Sequence, residues 1–298
     1  MCQLYVYLGS IFTADGSTNA SLRAHASDKK CHLNKLLIFL AKNRDMPFVV
    51  KRKVFEAAFS SAILYGAECW LNCDLKPMES IYISAVKALL GVRQSTPNKI
   101  CLIEAGMLPL KVLVLQKQSI FINKMIRERS EMDDDPLIFA LNLTEKLNPK
   151  MRKYINNLKD RVNYADINTD KHIVANATTT RYTTYANINS DMSMHNVYAR
   201  KYDRVSFIPE IYRIAFTRMR TSSHRLRIET GRWSRLERED RLCKCRMGVG
   251  DEAHALTQCP LTEDIRQSYG PVSYPELLAN ASTIKDFKYI YDVLKLSE

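Results

Sequence analysis

Four residues near the C-terminal end, Cys243, Cys245, His254 and Cys259, form a C-x-C-x8-H-x4-C array. They limit what this chain can fold into more than any other feature. Three thiolates and one imidazole are the donor set that closes a tetrahedral zinc site. The one-residue gap between the first two cysteines is tighter than the two-residue gap of zinc ribbons. Gly248 and Gly250 are placed to let the loop fold back toward His254, and Leu256 can anchor it from inside. All four positions are filled by side chains, leaving none for water, so the array predicts a structural Zn site. Unrelated buried thiols and a surface histidine are the alternative.

The array follows a run dense in arginine. Arg218, Arg220, Arg225, Arg227, Arg232 and Arg235 surround His224 and Trp233. Guanidinium forks match phosphate geometry, and an indole can stack on an unpaired base. The chain carries 44 Lys and Arg against 32 Asp and Glu, a net of +12. Between Arg200 and Arg246 the count is 14 basic against 6 acidic, so a net of +8 sits in one window. Such clustering points to a polyanionic partner, RNA or DNA, over a merely solvated helix face. Glu229, Glu237, Glu239 and Asp240 can neutralise several arginines through helical pairs, so only part of the run is expected to touch nucleic acid. Trp233 is equally suited to anchoring the core of the zinc module. Lys51, Arg52 and Lys53 are a second set of candidate backbone contacts, with a solvated helix start as the competing explanation.

The fold class follows from periodicity. None of the nine glycines lies between Gly106 and Gly231, and long stretches repeat apolar residues at three- and four-residue steps, so the chain is expected to be mainly α. Gln3 to Leu8 alternates in polarity and, with Ile11 to Thr13 and the Asp15-Gly16 turn, predicts a short N-terminal β-hairpin over 1–16. Two strands alone are marginal in water, so the hairpin reads as the edge of a larger sheet. A helical bundle is predicted over 17–130. Its helices start near Ser17, Pro47, Pro77, Pro97 and Pro109 and stop near Asn43, Gly66, Gly91, Gly106 and Arg129. Residues 131–205 are expected to be a linker, partly disordered, opening on EMDDDP and continuing through a stretch from Asn163 to Asn196 rich in Asn and Thr. A small α-rich, basic zinc-knuckle domain is predicted over 206–298, closed by one or two helices between Ser273 and Leu294.

Several function classes drop out. No apolar run approaches the ~20 residues that span a bilayer, so no membrane partner is expected, and Leu36 to Leu40 is taken as a buried helix segment. MCQLYVYLGS lacks a basic n-region and a cleavage site. The eight cysteines therefore read as intracellular thiols or metal ligands, with a nuclear location compatible but not indicated. Cys69, Cys73 and Cys31, the last beside His32, are expected to be core thiols. Asp133-Asp134-Asp135 cannot all face one ion and fits a solvated linker.

Two separated signatures resemble one known family. Tyr7-Leu8-Gly9-Ser10-Ile11-Phe12 with Asp15-Gly16-Ser17 is similar to the hairpin that follows the polymerase palm in reverse transcriptases of non-LTR (LINE-type) retrotransposons. Phe55 to Trp70 (FEAAFSSAILYGAECW) and Gly91 to Pro109 resemble the helical segment after it. His224 to Trp233 (HRLRIETGRW) and the cysteine array resemble the C-terminal zinc knuckle of the same elements. The resemblance spans most of the chain outside the Asn/Thr-rich connector.

The resemblance implies a thumb-like bundle that follows a primer–template duplex, and a zinc knuckle that contacts template RNA or target DNA. It also implies the remainder of a retroelement polyprotein as a partner. The parent family is an RNA-directed DNA polymerase whose palm aspartates, including a Tyr-x-Asp-Asp turn, hold two metal ions. Those residues and the endonuclease precede the hairpin in the family, so no catalytic residue and no polymerase activity are expected of this stretch. Tyr164-Ala165-Asp166 is followed by Ile167 where the second aspartate is required. The alternatives are a zinc-stapled structural or protein-interaction module, or an inactive retroelement relic.

Overall fold

The computed structural model describes residues 3–7, 9–129, 136–159, 169–178, 180–195, 198, 209–280 and 284–294. It is mainly helical, with 67% helix and one short antiparallel hairpin at the N-terminus. Asp133 to Asp135 and Tyr164 to Ile167 lie outside the described residues. Among the described residues no helix is long and apolar enough to cross a membrane.

The chain divides into two compact units, each assembled from separated stretches. The first comprises Met1–Leu36, Phe55–Ser84 and Leu108–Thr169; the second comprises Leu37–Val54, Ala85–Met107 and Asp170–Glu298. This differs from the sequential domains expected above. The predicted bundle is shared between the two units, and the predicted linker supplies helices to both.

In the first unit, strand Leu4–Tyr7 pairs antiparallel with Ser10–Thr13, in register from Leu4 opposite Thr13 to Tyr7 opposite Ser10. Every residue of the first strand is exposed, so both of its faces are open. Helix Thr18–Lys42 follows, burying Leu22, His25 and Ala26 at helical spacing. A π-helical turn over Phe55–Ser60 directs both Phe55 and Phe59 inward, their rings 5.1 Å apart. The next turn ends at Gly66, whose φ of 72° suits a residue without Cβ. Trp70 then buries against His25, ring centroids 5.2 Å apart. Helix Leu110–Arg129 closes this core: Gln118 donates to Ala67 O at 3.1 Å and accepts from the Tyr154 hydroxyl at 2.7 Å. Helix Pro149–Lys159, within the expected linker, buries Ile155 and Leu158 against Ile122.

In the second unit, helix Asn98–Ala105 is nearly all buried. Ile100 and Ile103 pack with Val174, Tyr185 and Met192. The last three come from the Asn/Thr-rich stretch, which contains helices Thr169–Ala175 and Thr180–Ile188. Asn and Thr are weak helix formers, but burial of an apolar face overrides propensity. Helix Glu210–Arg220 runs through the interior, and Phe216 stacks edge-on to Phe287 of helix Ile284–Val293 at 5.3 Å. The segment Leu36 to Leu40 is not buried throughout: Leu36 is sealed, whereas Leu37 and Ile38 are exposed. Cys31 and Cys69 are exposed as well, against the expectation of core thiols. They sit where their helices face water.

Candidate metal centre and nucleic-acid interface

The zinc-type array is built on a tight loop and one short helix. Leu242 and Val249 form an antiparallel bridge, and Cys243 N donates to Gly248 O at 2.8 Å. Inside that loop Arg246 N donates to Cys243 O at 2.9 Å, and Arg246 takes a φ of 61°, which turns the chain sharply after Cys245. The loop closes tightly on itself. A Cβ on Gly248 would lie 3.1 Å from His254 Nδ1, and one on Gly250 would lie 3.1 Å from Cys243 Cα. Asp251 caps helix Glu252–Thr257, its carboxylate accepting from His254 N at 2.9 Å, which fixes the residue that carries the imidazole. Cys259 N then donates to His254 O at 2.7 Å, returning the last thiol to the group. Leu256 is buried beneath it, as expected.

The four donor atoms lie within 4.8 Å of one another. Cys243 Sγ and Cys259 Sγ are 3.8 Å apart, and Cys245 Sγ is 3.1 Å from His254 Nε2. Zinc–sulfur bonds of about 2.3 Å and zinc–nitrogen bonds of about 2.0 Å at tetrahedral angles require roughly 3.8 Å and 3.5 Å for these pairs. The sulfur pair is at ligand spacing, and the sulfur–nitrogen pair falls within half an ångström of it. These residues can hold a metal ion, through Nε2 of the histidine. Burial pushes the Cys259 thiol up to about 12, with the neighbouring Cys243 adding to it despite a backbone hydrogen bond at Leu261. Burial raises Cys243 too. Crowded, buried thiols resist ionisation on their own, and a divalent cation in their midst is the charge that reverses this.

The donor helix is braced from behind. Glu252 accepts from Ser222 Oγ and pairs with His224 Nε2, both at 2.8 Å. Burial alone would raise the Glu252 carboxyl, but His224 and Ser222 outweigh it and hold the group down to about 2.

The arginine run divides sharply. Arg220 is buried, with Nε 2.7 Å from Glu104 Oε1, and His224 is buried on Glu252. Lys51 is buried as well, its Nζ 3.0 Å from Glu210 Oε1 and 2.9 Å from Arg44 O. None of the three can reach a phosphate. Their polar groups are taken up by internal partners, and that corrects their assignment as nucleic-acid contacts. Arg218 donates to Gly91 O at 2.8 Å, and Arg52 donates to Ala105 O and Gly106 O at 3.2 Å. Both are half-buried positioning groups. Arg232 is half-buried beside Glu229. Lys53, Arg225, Arg227 and Arg235 remain exposed. Trp233 is 54% exposed, which rules out the core-anchor role.

Two basic residues passed over in the sequence stand beside the metal cluster. Lys244 and Arg246 are exposed and, together with Arg225, Arg227, Cys243 and the acid Asp240, line a depression of about 640 Å³. They sit within and just after the C-x-C pair, where spacing arguments look only at the cysteines. No family model, no curated protein and no solved structure matches this chain.

Proposed function

We propose that this chain is a nucleic-acid-binding piece of a LINE-type reverse transcriptase, in which zinc staples a small basic domain and that domain grips the phosphate backbone. One observation carries the proposal: Arg225, Arg227, Lys244 and Arg246 line one depression with Cys243 of the cysteine–histidine cluster, against a single acid, Asp240. A structural metal there orders the loop that displays the charge, so metal binding and backbone contact are coupled. The exposed apolar strand Leu4–Tyr7 is in keeping with a hairpin that lies at the edge of a polymerase palm. In this proposal the chain holds RNA or DNA in place, and the polymerase chemistry belongs to palm residues not assigned to it.

The test is a salt titration of binding to single-stranded RNA and DNA by the zinc-loaded protein. Each neutralised phosphate on a single strand contributes a slope of about −0.7 in log affinity against log salt. Wild type is expected to fall steeply. Alanine at Arg225, Arg227 or Arg246 should each flatten the slope by about one contact and weaken all sequences alike. A nearly flat wild-type slope overturns the proposal in favour of an acidic protein partner.

A further inference from the structure

Glu229 lies buried on helix Arg227–Trp233, and three arginines converge on its carboxylate. Arg232 Nη1 donates to Oε1 at 2.6 Å, Arg181 donates to both oxygens, and Arg93 Nη2 stands 4.0 Å from Oε2. The carboxylate is 2% exposed, whereas the three arginine side chains keep 21%, 24% and 27% of their surface open for Arg93, Arg181 and Arg232. One carboxylate is shared among these guanidiniums, and the outer edges of Arg181 and Arg232 carry the positive excess toward solvent. The neighbouring acids do not absorb it. Asp251 pairs with Arg238 at 2.8 Å and caps its helix, and Glu252 is held by His224 and Ser222. A cavity of about 200 Å³ opens there, lined by Arg181, Arg232 and Arg238 together with Glu229, Asp251 and Glu252, the acids already engaged.

The same cluster reaches an exposed aromatic ring. The Arg93 guanidinium carbon sits 4.7 Å from the Trp233 ring centroid, and more than half of Trp233 faces solvent. A guanidinium stacked on one side holds the indole flat and leaves the remaining surface as a platform. Trp233 is the residue after Arg232, so platform and charge are fixed by one helix end.

We propose that Arg181, Arg232 and Trp233 form a subsite for one unpaired nucleotide of a single strand, its base stacked on Trp233, which Arg93 braces, and its phosphate held by Arg181 and Arg232. This rests on the nucleic-acid function proposed above and adds to it the class of ligand. Duplex bases are already stacked on each other and cannot lie flat on a protein ring, whereas unpaired bases can. Glu229 fixes the guanidiniums before the strand arrives, which reduces the entropy lost on binding.

The experiment uses the full zinc-loaded chain with a ten-nucleotide single strand, the matching duplex and a free nucleoside monophosphate, followed by anisotropy and tryptophan emission. The chain has two tryptophans, and Trp70 is buried, so quenching reports on Trp233. The single strand should quench emission. Trp233→Ala should cut its affinity by about 5- to 100-fold while duplex affinity changes less than about twofold. Trp233→Phe should retain part of the affinity, and Arg181→Lys, which keeps charge but loses the fork, should weaken the single strand selectively. Zinc content and melting temperature check that the variants are folded. Salt-dependent binding without quenching, and equal in Trp233→Ala, overturns the subsite and leaves the broader proposal standing. No binding to any nucleic acid overturns both. Quenching by the free nucleotide as tight as by the strand overturns the assignment to a strand.

Discussion

Arg220 Nε donates to Glu104 Oε1 across 2.7 Å, and neither side chain is more than 1% exposed. The Tyr185 and Tyr198 hydroxyls donate to the same carboxylate at 2.7 and 2.6 Å, and Arg220 Nη1 donates to Leu278 O at 2.6 Å. The charge is thus fully hydrogen-bonded inside the second unit, the condition under which a buried pair is tolerated.

Removing one member leaves the other charge buried without compensation, which costs about 3–5 kcal/mol. Arg220→Ala is therefore expected to lose stability on that scale in urea unfolding. Nucleic-acid affinity per folded molecule should not change. A loss of affinity in folded Arg220→Lys, measured at matched stability, would return this residue to the binding surface.

The same carboxylate sets a pH dependence. Burial by itself would raise the Glu104 carboxyl, but Arg220 and the two tyrosine hydroxyls outweigh it, so the folded group lies below its ordinary value of 4.5. A depressed carboxyl contributes stability that is complete above the unfolded value and is lost as pH falls through the folded one. The stability gap between wild type and Glu104→Gln should be constant above about pH 5 and shrink steadily below about 4.5. A gap that holds its size down to pH 3 would show that the ion pair is not its source.

Legibility in the sequence tracked how local each cause is. Helix starts near Pro47, Pro97 and Pro109, and stops at Gly66, Gly91 and Gly106, were readable because proline and glycine act on their own backbone; all three glycines adopt positive φ. The metal array was readable because its donors lie within one loop and one short helix. The fate of each arginine was not. Arg220 is drawn inside by Glu104, and Arg213 by the carbonyls of Leu89 and Leu90, none of which its neighbours in sequence reveal. The Thr180–Ile188 helix was hidden for the same reason: its stability comes from Tyr185 packing with Ile100 and Ile103. That each unit is assembled from separated stretches of chain is likewise a long-range outcome that no window of residues displays.

Cysteine exposure gives an ordered reactivity. Burial pushes the Cys101 thiol up to about 12, and the side chain is buried beside Ile100 and Leu102, so it has neither thiolate nor access. Cys31 is exposed. Brief iodoacetamide treatment of native protein followed by peptide mass spectrometry should label Cys31 well before Cys101. Early labelling of Cys101 would mean that helix Asn98–Ala105 opens far more readily than its burial implies.

Cys245 is the decisive position for the metal. It is half-buried, whereas Cys243, His254 and Cys259 are buried, so serine there removes a thiolate with the least damage to packing. The zinc-loaded protein is expected to carry one zinc per chain, and Cys245→Ser to carry none. Chelation should lower the melting temperature of wild type but not of the variant, because a structural metal's binding energy is folding energy. Chelation should also open Cys243 and Cys259 to alkylation, since the loop and the helix that bury them then lose the ion that ties them together. Reduced wild-type protein that contains no zinc by elemental analysis, and whose melting temperature is indifferent to added zinc, would reduce the cluster to packed thiols and remove the metal as the force that orders the Lys244 and Arg246 loop.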